Sequence, residues 1–192
     1  MRKLITAMKI SLDGKYEGPQ GYADWVSAWS DDYGLTAEID ACVLGGRMYP
    51  GYEQYWTRIQ YHPDEVHPLS GAVPTKAEVE WADFAASTPH YVVSSTLTEA
   101  VWPNTRFLPS LDEVGKLKRE QGKDIYLMGG GAITAAAIDA GLVDEARLIV
   151  YPVVLGTGQR LLPEAGASKP MRRADVRPVG DSLARLTYER AI

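Results

Sequence analysis

The sequence predicts an α/β fold with a mainly parallel sheet and a closing antiparallel hairpin. Short apolar runs alternate with segments of helical character, the pattern of strands joined by crossover helices. The apolar run at residues 41–44 stops at Gly45-Gly46, as a strand buried inside a parallel sheet does. The last segments, 171–179 and 184–190, instead alternate like an antiparallel pair joined near Gly180-Asp181.

The N-terminal part is predicted to hold two strands and two helices before a long loop. The first strand ends at the turn pair Asp13-Gly14. The first helix is predicted because Leu35 and Ile39 are four residues apart. In order, we expect a strand at residues 4–12, a helix at 31–40, a strand at 41–44, a helix at 47–56 and a loop at 57–75. A loop of that length is often a lid or a binding loop.

The rest of the chain continues the alternation. Thr75 is a candidate N-cap, and Ser110 to Glu113 has the pattern of a capping box opening a further helix. Helices are predicted at residues 75–87, 110–121 and 132–140, and strands at 91–93, 106–108, 125–128 and 146–155.

Composition and charge favour a single cytoplasmic domain. The chain has 192 residues, which suits one domain spanning 1–192, and a net charge of -5, which argues against non-specific nucleic-acid binding. No apolar run reaches membrane-spanning length, and the N-terminus does not have the pattern of a signal peptide. Cys42 is the single cysteine, which indicates a reducing compartment. His62 and His67 have too few companion ligands for a metal site, so no metal is expected.

The strongest local signal for chemistry is the strand at 125–128 running into Gly129-Gly130-Gly131 at a helix start. Glycines let a ligand approach the backbone, and the first amides of a helix point at it with the positive end of the helix dipole. The alternative is a tight strand-to-helix turn without a ligand. The run lacks the third glycine of the dinucleotide fingerprint, with Thr134 in its place, and it is not a P-loop. A nucleotide phosphate site on another α/β scaffold is therefore predicted.

Two further strand ends are expected at the same edge of the sheet, where such folds bind ligands. One is Gly45-Gly46-Arg47, which pairs a close backbone approach with a guanidinium able to hold phosphate. The other is Ser94-Ser95-Thr96, three hydroxyls after a buried strand. As alternatives, Arg47 is an ordinary surface residue and the hydroxyl run is a loop or cap. Aromatic residues nearby can line a flat-ring pocket or pack in the core: Tyr49, Tyr52, Tyr55, Trp56 and Tyr61.

Six motifs in this order and spacing resemble the dihydrofolate-reductase-like family, in particular the branch with the reductase domain of the bifunctional riboflavin-biosynthesis deaminase-reductase. The match covers residues 4 to about 163. The motifs are Ser11-Leu12-Asp13-Gly14, Val43-Leu44-Gly45-Gly46-Arg47-Met48-Tyr49, Val92-Val93-Ser94-Ser95-Thr96-Leu97, Ile125-Tyr126-Leu127-Met128-Gly129-Gly130-Gly131, Gly141-Leu142-Val143-Asp144-Glu145 and Tyr151-Pro152-Val153-Val154-Leu155-Gly156-Thr157-Gly158. The resemblance implies a mixed sheet of about eight strands flanked by helices.

The resemblance also implies NADPH lying across the strand ends. The pyrophosphate would lie against the start of the last helix, and Ser94, Ser95 and Thr96 would face the adenosine phosphate end. The peptide bond between Gly129 and Gly130 is cis in such sites. The implied pyrophosphate residues are Gly129, Gly130, Gly131, Ala132 and Ile133, and the implied phosphate-binding helix start is Gly45, Gly46, Arg47 and Met48. The family usually has Gly-Arg-x-Thr here, so the preference for NADPH over NADH stays open.

The resemblance places a substrate-binding acid early in the first long helix, near Asp31, with Asp32 as the next candidate. An acid in an apolar pocket would have a raised pKa suited to proton transfer. The alternative is that both are N-cap and first-turn charges. Asp13 would lie beside the nicotinamide, and its alternative role is to form a turn.

Together these features predict an NAD(P)H-dependent reductase that transfers a hydride to a pterin-, pyrimidine- or similar heterocyclic substrate, comparable to dihydrofolate reductase or 5-amino-6-(5-phosphoribosylamino)uracil reductase. One alternative is a non-catalytic nucleotide- or small-molecule-binding module on the same fold. Another is a structural protein whose glycines serve only as turns. No zinc-binding His-Cys-Cys pattern of a fused deaminase domain is present in the sequence, and a homodimer is expected from the resemblance.

Overall fold

The computed structural model describes residues 1–26, 29, 33–162 and 169–191. Its strands are β1 (Leu4–Ser11), β2 (Lys15–Glu17), β3 (Ile39–Gly45), β4 (His90–Val93), β5 (Thr105–Leu108), β6 (Asp124–Gly129), β7 (Glu145–Tyr151), β8 (Gln159–Arg160), β9 (Met171–Val179) and β10 (Leu183–Arg190). Its helices are α1 (Tyr49–Tyr61), α2 (Lys76–Ser87), α3 (Asp112–Leu117) and α4 (Gly131–Asp139).

The main sheet has eight strands in the order β5-β4-β3-β6-β1-β7-β10-β9. The six strands from β5 to β7 are mutually parallel, and β10 pairs antiparallel with both β7 and β9. The predicted mainly parallel sheet with a closing hairpin is confirmed. The short β2 and β8 form a separate antiparallel pair that the sequence analysis did not predict.

Helices cover both faces of the sheet, so the central strands are buried on both sides. Side chains of a strand alternate between faces. On β3, Cys42 and Leu44 join the core that contains α1 and α2, whereas Ala41 and Val43 join the core with α3 and α4. This double burial explains why the parallel strands have continuous apolar runs in the sequence.

The helix predicted at residues 31–40 is wrong in the part that the structure describes. Residues 33–38 form turns, and β3 already begins at Ile39. Gly34 has a φ of +66°, which a right-handed helix cannot contain. The Arg147 guanidinium donates hydrogen bonds to the carbonyls of Tyr33 and Gly34 at 2.9 and 3.2 Å, which fixes this turn from the sheet.

Arg147 belongs to a chain of ion pairs at the start of the sheet. Its Nε lies 2.6 Å from Glu145 and its Nη2 lies 2.6 Å from Glu38. Glu145 is also paired with Lys3 at 3.0 Å. The carboxylates raise the pKa of Arg147 against the opposing effect of burial, which lowers it. The guanidinium therefore stays charged while holding the turn before β3.

Other boundaries also differ from the prediction. Helix α1 runs from Tyr49 to Tyr61. Pro50 does not interrupt it, because it lies in the first turn, where a missing amide costs nothing. The predicted loop at 57–75 therefore starts only after Tyr61. The N-cap of helix α3 is Leu111, which makes no side-chain cap hydrogen bond, so the capping box predicted from Ser110 is wrong. The helix ends at Leu117 instead of residue 121. Strand β7 ends at Tyr151 instead of residue 155. None of the helices in the described ranges combines the length and apolar character needed to span a bilayer.

The first residue of β4 is a histidine that is buried in the core against α1. His90 is fully buried, and its Nδ1 lies 2.8 Å from the carbonyl oxygen of Thr88, which can only accept. Nδ1 therefore carries the proton, and Nε2 accepts from the Tyr52 hydroxyl at 3.4 Å. Burial lowers the pKa of His90 to about 4 against the smaller opposing effects of the Thr88 hydrogen bond and Glu53. The imidazole is neutral in the folded protein at neutral pH.

We expect His90 to make the protein less stable in mild acid. Between pH 6.5 and about 4 the unfolded chain binds a proton that the folded chain rejects, so stability is complete above pH 6.5 and falls as pH is lowered towards 4. The loss is at most about 3 kcal/mol. Urea unfolding at several pH values measures it, and His90→Asn, which keeps a donor near Nδ1, should flatten the profile. His62→Asn, at the surface, is the control. An unchanged profile in His90→Asn contradicts the assignment.

Strands β3 and β4 approach each other closely where they end. Gly45 lies opposite Val93, and the Gly46 amide donates to the Val93 carbonyl at 3.0 Å. A Cβ on Gly46 would lie 2.7 Å from both Cβ and Oγ of Ser94. Because Ser94 Cβ cannot rotate away, only glycine fits at this position without a shift of the backbone.

Gly46→Ala is therefore expected to lower the free energy of unfolding by about 1–3 kcal/mol through overpacking. Adding Ser94→Gly to the same chain should restore most of the loss, since it removes the atoms that clash. Gly51→Ala is the matched control, because a Cβ there meets nothing within 4 Å and alanine is about 1 kcal/mol better than glycine in a helix. Chemical denaturation of the four proteins measures this. A double variant as unstable as Gly46→Ala would show that another contact is responsible.

Candidate functional site

The three strand ends highlighted by the sequence lie side by side at the carboxyl edge of the sheet. β3 is the middle strand, with Gly45 opposite Val93 of β4 and Leu44 opposite Gly129 of β6. Gly45 also faces helix α4, since a Cβ on it would lie 3.5 Å from Cγ2 of Ile133. The fold thus brings the two glycine turns and the Ser94 hydroxyl to one place.

The glycine run at the start of α4 has an unusual backbone. Gly129 has a φ of +108°, and its peptide bond to Gly130 is cis, as the resemblance implied. Gly130 is the N-cap and provides no side-chain hydrogen bond. The first amides of a helix have no partner within the helix, so those of Ala132 and Ile133 are available to an acceptor at this end, whereas that of Gly131 meets the Tyr16 hydroxyl.

A tyrosine from β2 lies against this helix start. The Gly131 amide hydrogen-bonds the Tyr16 hydroxyl. Burial, and after it the neighbouring Glu17 carboxylate, raise the pKa of Tyr16, and the hydrogen bond from Gly131 opposes them only in part. The two residues are in tight contact, since a Cβ on Gly131 would lie 2.7 Å from Cε1 of Tyr16. The sequence analysis missed Tyr16, because a lone tyrosine after an Asp-Gly turn has no pattern that links it to a distant helix.

Beside Tyr16 a cavity of about 370 Å³ opens between β1, β6, α1 and the loop after β2. Its walls are mainly aromatic rings and methionines. The lining consists of Ala7, Met8, Lys9, Tyr16, Ala23, Val26, Trp29, Tyr33, Met48, Tyr52, Tyr55, Trp56, Ser70, Glu78, Tyr126 and Met128. A cavity of this size and character suits a flat organic ring.

Of the aromatic residues considered from the sequence, three line this cavity and two do not. Tyr52, Tyr55 and Trp56 project from α1 into the wall. Tyr49 is instead buried in the core, with its hydroxyl 2.5 Å from Glu53, and Tyr61 is exposed. The Tyr52 hydroxyl is directed to His90, so this residue offers its ring to the cavity.

The lining contains one carboxylate, Glu78, in the described residues. It forms the capping box of α2: Oε2 accepts from the amide and hydroxyl of Thr75 at 2.8 and 2.9 Å, and Oε1 accepts from the Trp29 amide at 3.4 Å. The predicted cap at Thr75 is confirmed. The sequence analysis named Thr75 as a candidate cap but did not consider Glu78, although the Thr-x-x-Glu spacing is that of a capping box.

The remaining candidates on β3 and β4 differ in what they can still bind. Arg47 is exposed in the turn before α1, and Met48 lines the cavity. The Ser94 hydroxyl accepts from the amides of Thr96 and Leu97 at 3.2 and 3.1 Å, so it caps its own turn. Ser95 and Thr96 are exposed beside it.

Asp13 stabilises the loop after β7. Its carboxylate accepts from the Ser11 hydroxyl at 2.7 Å and from the amides of Leu155 and Gly156 at 3.1 and 2.9 Å. These hydrogen bonds lower the pKa of Asp13 to about 2, and the one from Ser11 has the largest effect. The geometry favours the turn-forming alternative, and Asp13 is not among the described residues that line the cavity.

The two candidate catalytic acids, Asp31 and Asp32, lie outside the described residues. The residues before and after them that the structure does describe, Trp29 and Tyr33, both line the cavity. Among the described residues, no group of three or more His, Cys, Asp or Glu side chains is placed to hold a metal ion.

Solved structures with this fold include reductases. A Shewanella sp. PV-4 protein provisionally assigned to riboflavin biosynthesis superposes with a TM-score of 0.70 at 21% identity, with 99% of each chain covered. The Thermotoga maritima diaminohydroxyphosphoribosylaminopyrimidine deaminase/5-amino-6-(5-phosphoribosylamino)uracil reductase gives 0.61 at 14%, covering 99% of this chain and 57% of that one. An Enterococcus faecalis dihydrofolate reductase complexed with NADP(H) gives 0.60 at 15%, covering 98% and 96%. At these identities the likeness shows the fold.

Sequence comparison identifies relatives over the whole chain. The uncharacterized protein YyaP of Bacillus subtilis (strain 168) is 31% identical over 194 aligned residues, covering 97% of this chain and 94% of YyaP. YwjB of the same organism is 24% identical, with 99% of each covered. The profile of the RibD C-terminal domain matches residues 2–184. The chain therefore belongs to the RibD C-terminal domain family.

Proposed function

We propose that this protein is an NAD(P)H-dependent reductase that transfers a hydride to a C=N or carbonyl carbon of a pterin-, pyrimidine- or similar heterocyclic ring. The observation that carries the proposal is the uncapped glycine start of α4 beside a cavity lined by aromatic rings. The first feature suits a pyrophosphate and the second suits a flat ring. A reductase needs both within reach of each other.

The residues at this edge fit a dinucleotide. The amides of Ala132 and Ile133 form an anion-binding helix end without a side-chain cap from Gly130, and the Gly131 amide joins them when the Tyr16 hydroxyl is displaced. Gly45 and Gly46 let a ligand approach the backbone, and the exposed Arg47 can reach a further phosphate. Ser94 caps its own turn, so Ser95 and Thr96 are the hydroxyls we propose for the adenosine end.

The nicotinamide would supply the hydride when bound, as cofactors do in this class of chemistry. The contribution of the chain is orientation and electrostatics. Rings such as Tyr33, Tyr52 and Tyr126 exclude water from the cavity and confine the acceptor ring to one plane. The Tyr16 hydroxyl supplies a polar group where the cavity meets the α4 start.

The cofactor site is tested by placing a negative charge at the N-cap of α4. A Cβ on Gly130 meets only the Tyr16 hydroxyl, at 3.9 Å, and its φ of -67° is open to any residue. Gly130→Asp should weaken NADPH binding tenfold or more, because the carboxylate repels the pyrophosphate. Gly130→Asn is the matched control of equal shape and should retain most of the affinity.

The affinities are measured by fluorescence titration with NADPH and NADH, and thermal melts confirm that both variants fold. Bound NADPH should also raise the melting temperature of the wild type. If neither dinucleotide binds at millimolar concentration, the reductase proposal fails, and the non-catalytic binding module takes its place.

The proton donor is tested separately, once a heterocycle that supports turnover is known. We propose Asp31, with Asp32 as the next candidate, from the family resemblance. Replacing the true donor with asparagine should lower kcat by about 10²–10⁴-fold and leave NADPH affinity unchanged. Glu78→Gln is compared with them, because Glu78 faces the cavity but already accepts three hydrogen bonds. A loss confined to Glu78→Gln would transfer the role to Glu78.

A further inference from the structure

The charge of the cavity limits what it can bind. In the described lining, Lys9 is the one cationic side chain and Glu78 is the one anionic side chain. The Lys9 ammonium lies 6.0 Å from the centre of the Tyr151 ring. The two formal charges cancel, and the rest of the wall is aromatic, aliphatic or thioether apart from the Ser70 hydroxyl.

The residues outside the described ranges add no cation to this account. Residues 27, 28, 30–32, 163–168 and 192 include no Lys, Arg or His in the sequence, whereas Asp31, Asp32 and Glu164 are acidic. Two of these acids lie in the sequence between the lining residues Trp29 and Tyr33. The charged side chains among these residues are therefore all acidic.

Three cations on neighbouring elements interact away from the cavity, and Arg47, beside the lining residue Met48, is assigned to the cofactor in our proposed function. The Lys15 ammonium donates to the Gly158 carbonyl at 3.3 Å, and Lys76 is paired with Glu80 at 3.4 Å. Arg58 on α1 is paired with Glu65. None of the three is among the residues lining the cavity.

A phosphate ester is recognised by clustered guanidinium or ammonium groups or by a helix N-terminus. Two helix starts adjoin the cavity, that of α4 beside Tyr16 and that of α1 at the lining residue Met48. Our proposed function assigns both to phosphates of the cofactor, that of α1 together with Arg47. A phosphate on the second ligand would lose its hydration against aromatic walls with a single ammonium to balance it, which is costly.

We propose that this cavity takes a flat heterocycle without a phosphate group, and that it discriminates against the phosphoribosyl form of such a ring. The inference rests on the proposed function, in which the cofactor occupies the α4 start. It separates this chain from the Thermotoga maritima relative, whose named reaction is the reduction of a phosphoribosylaminouracil.

The test compares ligands that differ by one phosphate on the protein saturated with NADP⁺. The pairs are 6-hydroxymethylpterin and its phosphate ester, and 5-amino-6-ribosylaminouracil and its 5′-phosphate. We expect the unphosphorylated member of at least one pair to bind tenfold or more tightly than its phosphate ester. A ratio below tenfold in both pairs, which includes tighter binding of both phosphate esters, or no binding by any of the four, overturns the inference. Binding of NADP⁺ itself, measured first, tests the proposed function independently.

A variant pair then tests the cause. Ser70→Arg places a guanidinium in the lining, and Ser70→Gln adds similar length without charge. If the missing cation is responsible, Ser70→Arg should narrow the affinity ratio at least fivefold, whereas Ser70→Gln should leave it unchanged. Equal behaviour of the two variants would show that charge does not set the preference and would overturn the inference.

Discussion

The position of every group in the candidate site depends on the burial of both faces of the parallel strands. Because β3 packs against helices on each side, its backbone polar groups can be satisfied only by neighbouring strands. β3 therefore lies between β4 and β6 and pairs parallel with both. This double burial forces the three strand ends to the same edge, where the backbone leaves the sheet and can meet a ligand.

Much of the fold, and the position of the candidate site within it, could be predicted from local sequence patterns. The continuous apolar runs and the glycines that stop them are visible in the sequence, as is the hairpin at the end of the chain. The helix predicted at 31–40 failed because Leu35 and Ile39 are both buried, but in a turn and a strand. Burial at a spacing of four does not distinguish these cases, and the bonds from Arg147 that fix the turn come from residues more than 100 positions away.

The walls of the cavity were harder to predict than the glycine turns. The capping-box pattern of Glu78 is the same whether α2 begins in solvent or beside a cavity. The pattern therefore does not reveal that Glu78 lines the cavity. Tyr52 and Tyr49 are three residues apart on α1, yet one lines the cavity and the other is buried beside Glu53. Which aromatic residue faces a ligand is decided by the packing of α1 against α2 and the sheet, which is a property of the assembled fold.

Tyr16 joins two places that are otherwise separate. It forms part of the cavity wall, and its hydroxyl accepts the amide of Gly131 at the start of α4. Any anion that takes this amide has to displace the hydroxyl, and a displaced Tyr16 changes the shape of the cavity. Two ligands that share such a residue are thermodynamically coupled, and the coupling is reciprocal: each alters the affinity for the other by the same factor. A single phenol thus makes binding at the α4 start and binding in the cavity interdependent, without fixing which ligand binds first.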